Sequence, residues 1–119
     1  MNKKDDLKEF LPLSPAALHI LLALAGEDLH GYGIMLEVAR QSNDQYKIGP
    51  GTLYDNLRKL MIQGCVLEVR KGTAGGDPRR RYYGLTSLGR RVLAAELARL
   101  ETVVRDGKVH LFGAKPRRA

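Results

Sequence analysis

The sequence predicts a mostly α-helical domain with one small β-hairpin, and two observations lead to this. Up to Gly64 the apolar residues recur at intervals of three and four, which is the period of helices packed on a core. After Gly64 the period falls to two in two short runs, and a long helical pattern begins at Ser87. The expected order is therefore three helices, two strands and a long last helix.

Length and charge restrict the kinds of protein that this can be. The chain has 119 residues, enough for one domain with its own core. It carries 20 Lys and Arg against 13 Asp and Glu, a formal net charge of +7. Such an excess attracts polyanions, of which nucleic acid is the first candidate and an anionic membrane the second. A surface charged only for solubility is the alternative interpretation.

The N-terminal segment does not look like a secretion signal, because acids stand where such a signal needs an apolar run. We expect residues 1–13 to form an extension with a short amphipathic helix that ends before Pro12. Its apolar residues are Leu7, Phe10 and Leu11. The longest apolar run, at 15–25, is too short to cross a bilayer. Together with the single cysteine, this favours a cytoplasmic protein and no membrane partner.

Two helices form the expected core. Ser14 and Pro15 are a strong helix start, and residues 15–25 are apolar almost all round, so this helix should be central. A second helix, which begins after His30-Gly31 and runs to about Ser42, mixes apolar and charged residues and should be half buried.

The stretch from Gly49 to Gly64 predicts one amphipathic helix over about residues 51–63. Its apolar side chains share one face, and the opposite face must contact solvent or a partner. A helix of this kind fits the major groove of B-DNA, where its first turns meet base edges and phosphates. A solvated charged face is the other interpretation. The candidate DNA contacts are Gly51, Thr52, Tyr54, Asp55, Arg58 and Lys59.

A basic hairpin follows this helix. Residues 66–70 and 81–85 alternate with period two and predict antiparallel strands. The connection between them is rich in glycine and arginine. A flexible basic tip can follow a phosphate backbone or enter a narrow minor groove, although such a loop can also serve solubility alone. The candidate contacts here are Arg70, Lys71, Arg79, Arg80 and Arg81.

Three helices, the third polar on its outer face, followed by a basic hairpin, are the layout of a winged helix-turn-helix. Three separate blocks make the similarity more specific: His30-Gly31-Tyr32, then Gly51-Thr52-Leu53-Tyr54 with Leu57, Lys59, Leu60 and Gly64, then Tyr82-Tyr83-Gly84-Leu85-Thr86-Ser87-Leu88-Gly89. On these residues the chain resembles the smaller subgroup of the PadR-like family of transcriptional regulators, over about residues 14–92. The resemblance implies a DNA-binding winged helix, at about 14–86, whose long C-terminal helix forms a homodimer.

One departure from that family concerns ligands. Some of its members use a tryptophan of the C-terminal helix to stack planar drugs in the dimer interface, and this chain has no Trp. The resemblance therefore does not carry that mode of binding over to this chain. A small-molecule effector of unknown identity stays open as a partner.

A long helix is predicted from Ser87 to about Asp106, and its apolar residues form two stripes. One stripe should pack on the core. The other has coiled-coil spacing and would pair with a second copy, or else with the N-terminal segment of the same chain. Residues 107–119 form a basic tail that we expect to be disordered. The candidate dimer contacts are Leu93, Leu97, Leu100 and Val104, together with Leu7, Phe10 and Leu11.

These features predict a winged helix-turn-helix domain with a long C-terminal dimerisation helix, at 87–106, that acts as a homodimeric repressor of transcription. It would bind double-stranded DNA at a palindromic operator, with the 51–63 helix in the major groove and the 71–81 wing on the backbone. The competing interpretation is a winged-helix module that binds proteins and no specific DNA. No pair among the histidines and Cys65 has metal-ligand spacing, so we expect no enzyme, metal or cofactor.

Overall fold

A computed structural model describes residues 7–70 and 80–113 of the chain. Its helices and strands are α1 (Pro15–Gly26), β1 (Leu29–His30), α2 (Gly31–Gln41), α3 (Pro50–Ile62), β2 (Val66–Val69), β3 (Tyr82–Leu85) and α4 (Ser87–Phe112). The predicted fold class is confirmed, because these elements form a winged helix followed by a long C-terminal helix. The expected hairpin tip at 71–79, the first six residues and residues 114–119 lie outside the described part of the chain.

The sheet has three strands in the order β1-β3-β2, with both pairings antiparallel. Tyr83 of β3 lies opposite Leu29 on one side and Glu68 on the other. The sequence predicted only β2 and β3, because a strand of two residues has no alternation to detect. The additional strand β1 ends where α2 begins, and it pairs His30 with Tyr82. It thereby brings the start of α2 to the base of the hairpin.

α1 is the centre of the core, as its nearly uniform apolar surface predicts. Ile20, Leu21 and Leu24 are fully buried, and α1 contacts α2, α3, α4 and β3. The hydroxyl of Ser14 starts this helix by accepting a hydrogen bond from the amide of Ala17 at 3.1 Å. The buried face of α3 packs on the same core, and its residues are Leu53, Leu57 and Leu60. The other face of α3 consequently points outward.

The end of α3 is fastened to the start of α4. The chain leaves α3 through Gly64, whose φ of +83° suits glycine. The hydroxyl of Thr86 donates to the Gly64 carbonyl at 2.6 Å and accepts from the amide of Gly89 at 2.9 Å. A side chain at Gly89 would overlap the carbonyl of Cys65. These contacts fix the direction of the long helix relative to α3.

A buried carboxylate ties the N-terminal segment to α4. Glu96 is 1% exposed and accepts from the backbone amide of Leu13 at 2.9 Å. Arg99 completes the group, since its Nε donates to Oε1 at 2.6 Å and its Nη2 to Oε2 at 2.9 Å. The hydrogen bonds from Arg99, and then that from Leu13, hold the pKa of Glu96 below its ordinary value. We refer to Leu13, Glu96 and Arg99 as the buried clamp.

The N-terminal segment packs on its own subunit. The three apolar side chains predicted to contact a partner are half-buried against the core: Leu7, Phe10 and Leu11. They pack on the core and do not line the groove formed by Leu97, Leu100 and Val104 of α4. Contact of these residues with a second copy stays a prediction.

α4 continues beyond Asp106, where the sequence predicted its end. It extends to Phe112, so residues 107–112 of the expected disordered tail are helical. A glycine inside a helix costs only about 1 kcal/mol relative to alanine, and Gly107 is followed by residues that a helix tolerates. Within the described ranges, no helix is both long enough and apolar enough to cross a bilayer.

Candidate nucleic-acid interface

The outward face of α3 presents all of the contacts predicted for this helix. The N-cap residue Gly49 has no side chain that could accept a hydrogen bond from the first-turn amides of α3. These amides can therefore donate to an external acceptor. Tyr54 is 49% exposed. Thr52, Arg58 and Lys59 are also exposed, and Asp55 is half-buried. The predicted contacts that lie here are Gly51, Thr52, Tyr54, Asp55, Arg58 and Lys59.

Asp55 organises the cationic side chains of this face. Its Oδ1 lies 3.1 Å from Arg58 Nη2 and its Oδ2 lies 3.1 Å from Lys59 Nζ. Hydrogen bonds from Lys59, then from Arg58, lower the pKa of the Asp55 carboxyl, so this group is ionised at neutral pH. The carboxylate of Asp55 thus holds two cations, at the i+3 and i+4 spacing that favours such pairs on a helix. We refer to Asp55, Arg58 and Lys59 as the exposed triad.

The base of the hairpin stands beside this helix. Arg70 follows β2, and Arg80 and Arg81 precede β3, so three exposed basic side chains lie at the end of the strand pair that residues 71–79 connect. The other two predicted contacts of the wing, Lys71 and Arg79, lie outside the described residues.

An open cleft of about 540 Å³ joins the hairpin base, the outward face of α3 and the start of α2. It brings Arg80 and Arg81 together with Tyr54, which the sequence had placed in separate groups. Its lining residues are His30, Gly31, Tyr32, Tyr54, Arg80, Arg81 and Tyr83. Two arginines and three tyrosines line this one cleft, and together they form a surface suited to a phosphate group.

Gly31 explains how Tyr54 reaches this cleft. A Cβ atom at position 31 would overlap the hydroxyl of Tyr54, so only glycine lets that ring lie over the first turn of α2. The sequence did not assign Gly31 to the site. The sequence did contain a signal for Gly31, because the His30-Gly31-Tyr32 block and the block with Tyr54 both carry the resemblance to the PadR-like family.

His30 connects α2 to the hairpin and was also missed as a site residue. Its Nδ1 accepts from the amide of Gly33 at 3.0 Å and so caps α2. Its Nε2 lies 2.9 Å from Nη1 of Arg80, and its ring meets Tyr82 edge-on with 5.3 Å between centroids. Burial, and then the charge of Arg80, lower the pKa of His30 below its ordinary value. The ring is therefore neutral at neutral pH.

Comparison with known proteins identifies the family. Residues 20–95 match the transcriptional regulator PadR-like family. The chain belongs to this family. The transcriptional regulator Rv3488 of Mycobacterium tuberculosis is 32% identical over 99 residues, which cover 81% of this chain and 88% of that protein.

Solved structures of PadR-like and other regulators have the same fold. A transcriptional regulator from Clostridium thermocellum superposes with a TM-score of 0.68 at 21% identity, over 93% of this chain and 99% of that one. A PadR family transcription regulator from Clostridium difficile gives a TM-score of 0.67 at 21% identity, over 82% of this chain and 99% of that one. The match to 20–95 includes every residue that lines the cleft.

The long helix of this PadR-like protein carries a second surface, away from the cleft. Of the predicted dimer contacts on α4, Leu93 is buried in the core of its own subunit at 5% exposed, whereas Leu97 and Val104 are 40% and 53% exposed. Leu97, Leu100 and Val104 line an open groove of about 660 Å³. The remaining residues of this groove are Glu101, Arg105 and Lys108. Within the described ranges, no other element of the chain lines this apolar strip with its charged edges.

Metal-binding side chains do not converge in this PadR-like chain, as far as the described residues show. Among these residues, no three His, Cys, Asp or Glu side chains are close enough to hold a metal ion. The thiol of Cys65 is buried, and burial raises its pKa.

Proposed function

We propose that this PadR-like regulator is a homodimer that binds a palindromic operator in double-stranded DNA and represses transcription from it. The observation that carries the proposal is the cleft, because it joins the outward face of α3 to the arginines at the hairpin base in one cationic surface. A module that only contacts proteins is the alternative, and the two arginines beside the α3 face favour a polyanion over it.

α3 would occupy the major groove. Its core-facing leucines hold it rigidly, and its outward residues are those that a groove would meet. Thr52, at the uncapped start, would contact a phosphate, while Arg58 and Lys59 would leave Asp55 for phosphate or guanine. The hairpin base would hold the adjacent backbone, and residues 71–79 would extend this contact.

α4 would supply the dimer contact. Two copies related by a two-fold axis can cover each other's groove at Leu97, Leu100 and Val104. The edges of the groove carry Glu101 beside Arg105, so the same symmetry can pair acid with base across the interface. The two copies of α3 would then lie about 34 Å apart, one turn of B-DNA, and would select a palindrome.

A dimer bound across a promoter would block transcription by occupying the DNA in the cytoplasm. Because α4 is fastened to α3 through Thr86 and Gly64, a change in the angle between paired α4 helices would move both recognition helices. A small-molecule effector that alters this angle would release the operator.

Selection from random duplex DNA, followed by mobility-shift titration, tests DNA recognition. We expect enrichment of a palindrome, and loss of affinity in Arg58→Ala and in Arg80→Ala. Arg40→Ala is the matched control, because Arg40 pairs with Glu37 on α2 and does not line the cleft. Affinity should also fall steeply with log salt. If no sequence is enriched, or if Arg40→Ala weakens binding as much as the two site variants, the proposal is wrong.

Light scattering of Leu97→Asp tests the dimer. A charge in the centre of the apolar strip should give a monomer of unchanged helix content. Thr102→Asp is the control, because Thr102 lies on α4 and does not line the groove. A Leu97→Asp protein that stays dimeric would exclude this groove as the interface.

A further inference from the structure

The neutral ring of His30 has one acceptor nitrogen, but two hydrogen-bond donors lie next to it. The amide of Gly33 points at Nδ1 from 3.0 Å, and Nη1 of Arg80 lies 2.9 Å from Nε2. A neutral imidazole has one acceptor nitrogen and one that carries a proton. Since Nδ1 accepts from Gly33 as the cap of α2, the proton is on Nε2. The contact with Arg80 therefore places one N–H donor against another.

Among the described residues, no oxygen atom accepts a hydrogen bond from both of these donors. Nε2–H of His30 and Nη1 of Arg80 are close enough for a single oxygen atom to accept from both. Both groups line the same cleft as the Tyr54 hydroxyl and Arg81. An anion in this cleft would remove the conflict, because each donor would then have a partner and the cap of α2 would be kept.

The occupant must be an anion that the regulator meets at this surface. The cleft opens between the recognition helix and the hairpin base, where the proposed DNA backbone passes. A phosphodiester oxygen accepts well from both arginine and imidazole N–H groups. A carboxylate of a partner protein would also fit, but substitution of His30 would then leave DNA affinity unchanged.

We infer that one backbone phosphate of the bound DNA occupies this cleft, accepting from Nε2–H of His30 and from Arg80, and that His30 is thus a DNA-contacting residue. The inference rests on the proposed function. In it His30 has two tasks, since it caps α2 with one nitrogen and positions a phosphate with the other. We refer to this proposed site as the phosphate seat. Gly31 leaves room for Tyr54 in the same cleft, so residues of α2, α3 and the hairpin base all line the seat.

Asparagine at position 30 separates the two tasks. Asn is among the best N-cap residues, and its side-chain oxygen can accept from the amide of Gly33 as Nδ1 does. It is too short to replace Nε2–H. His30→Asn should therefore keep the helix content and thermal midpoint, while it weakens operator binding on the order of tenfold per subunit, as expected for one hydrogen bond to a charged group. His110→Asn, an exposed residue near the end of α4, is the matched control.

Methylphosphonate substitution locates the contact. A neutral methylphosphonate is placed at one backbone position at a time along the selected operator, and the affinities of wild type, His30→Asn and Arg80→Gln are compared. At a single position in each half-site, the loss caused by His30→Asn should disappear, and the loss caused by Arg80→Gln should shrink at the same position. Because a phosphate carries no sequence information, both variants should weaken other DNA sequences to a similar degree.

The outcomes separate this inference from the proposed function. If Arg58→Ala weakens binding and His30→Asn does not, the phosphate seat is wrong and the proposed function stands. If the His30→Asn loss is the same at every methylphosphonate position, the seat is also wrong. If wild type selects no DNA at all, both fail together. Should His30→Asn lower the thermal midpoint, Arg80→Gln at its exposed position carries the same test without touching the cap.

Discussion

The exposed triad on α3 and the buried clamp on α4 use the same helical spacing for opposite purposes. In each, an acid contacts an arginine three residues further along the chain. The Asp55 side chain is 45% exposed, whereas that of Glu96 is 1% exposed. Exposed pairs contribute little stability, because water and salt compete with them, but a buried carboxylate that loses its partners is strongly destabilising.

Burial therefore decides which group can change partners. The exposed triad can transfer Arg58 and Lys59 to DNA at small cost, which suits a binding face. In the buried clamp, Glu96 also accepts a hydrogen bond from the backbone amide of Leu13, which lies 83 residues earlier in the chain. The clamp thereby fixes the N-terminal segment on the long helix. One protein thus has an exchangeable charge cluster where it should bind and a fixed cluster where its elements must keep their positions.

Removing the carboxylate of the clamp should have the largest effect on stability. Glu96→Ala leaves the amide of Leu13 without an acceptor and opens a space beside Arg99, so we expect the free energy of unfolding to fall by about 2–3 kcal/mol. Urea unfolding measures it. Glu37→Ala breaks a pair of the same spacing on the surface of α2 and should change stability by no more than about 0.5 kcal/mol. Equal losses in the two variants would show that burial does not distinguish these pairs.

Acid should weaken the clamp in a predictable direction. The pKa of Glu96 is lower in the folded protein than in the unfolded chain. Its contribution is therefore complete above the ordinary pKa of a glutamate and is lost as pH falls through the lower, folded value. Unfolding of wild type and Glu96→Gln should differ most near neutral pH, and this difference should shrink steadily in acid. A difference that stays constant down to about pH 3 would mean that the ionised form of Glu96 is not what stabilises the fold.

The sequence predicted the groups that depend on local spacing and missed those that depend on the fold. Periodicity and capping residues were enough to predict α1 to α4 and the pair of β2 with β3, although not the extension of α4 to Phe112. The i+3 spacing could have shown the pairing of Asp55. Glu96 could also have been noticed, because it lies four residues after Val92 on a face expected to be apolar. The contact between His30 and Arg80 could not, since 50 residues separate them and the two-residue strand β1 brings them together.

Neutralising the acid of the exposed triad should change binding and leave stability alone. Asp55→Asn releases Arg58 and Lys59 and removes one negative charge, so the net charge of the proposed DNA face rises by one. No buried group is disturbed. We expect an unchanged thermal midpoint, a rise of a few-fold in affinity for non-specific DNA, and a steeper dependence on salt. The ratio of operator to non-specific affinity should fall, because Asp55 no longer holds the two cations in one arrangement.

Glu37→Gln supplies the matched control for Asp55→Asn. It makes the same charge change at a surface pair on α2, away from the cleft, and should alter non-specific affinity less. A different result would be an unchanged non-specific affinity and a loss of operator affinity that depends on one base pair only. In that case Asp55 accepts from a cytosine amine, and its ion pairs with Arg58 and Lys59 are broken in the complex with DNA. If both variants raise non-specific affinity equally, the effect comes from net charge and Asp55 has no particular place in binding.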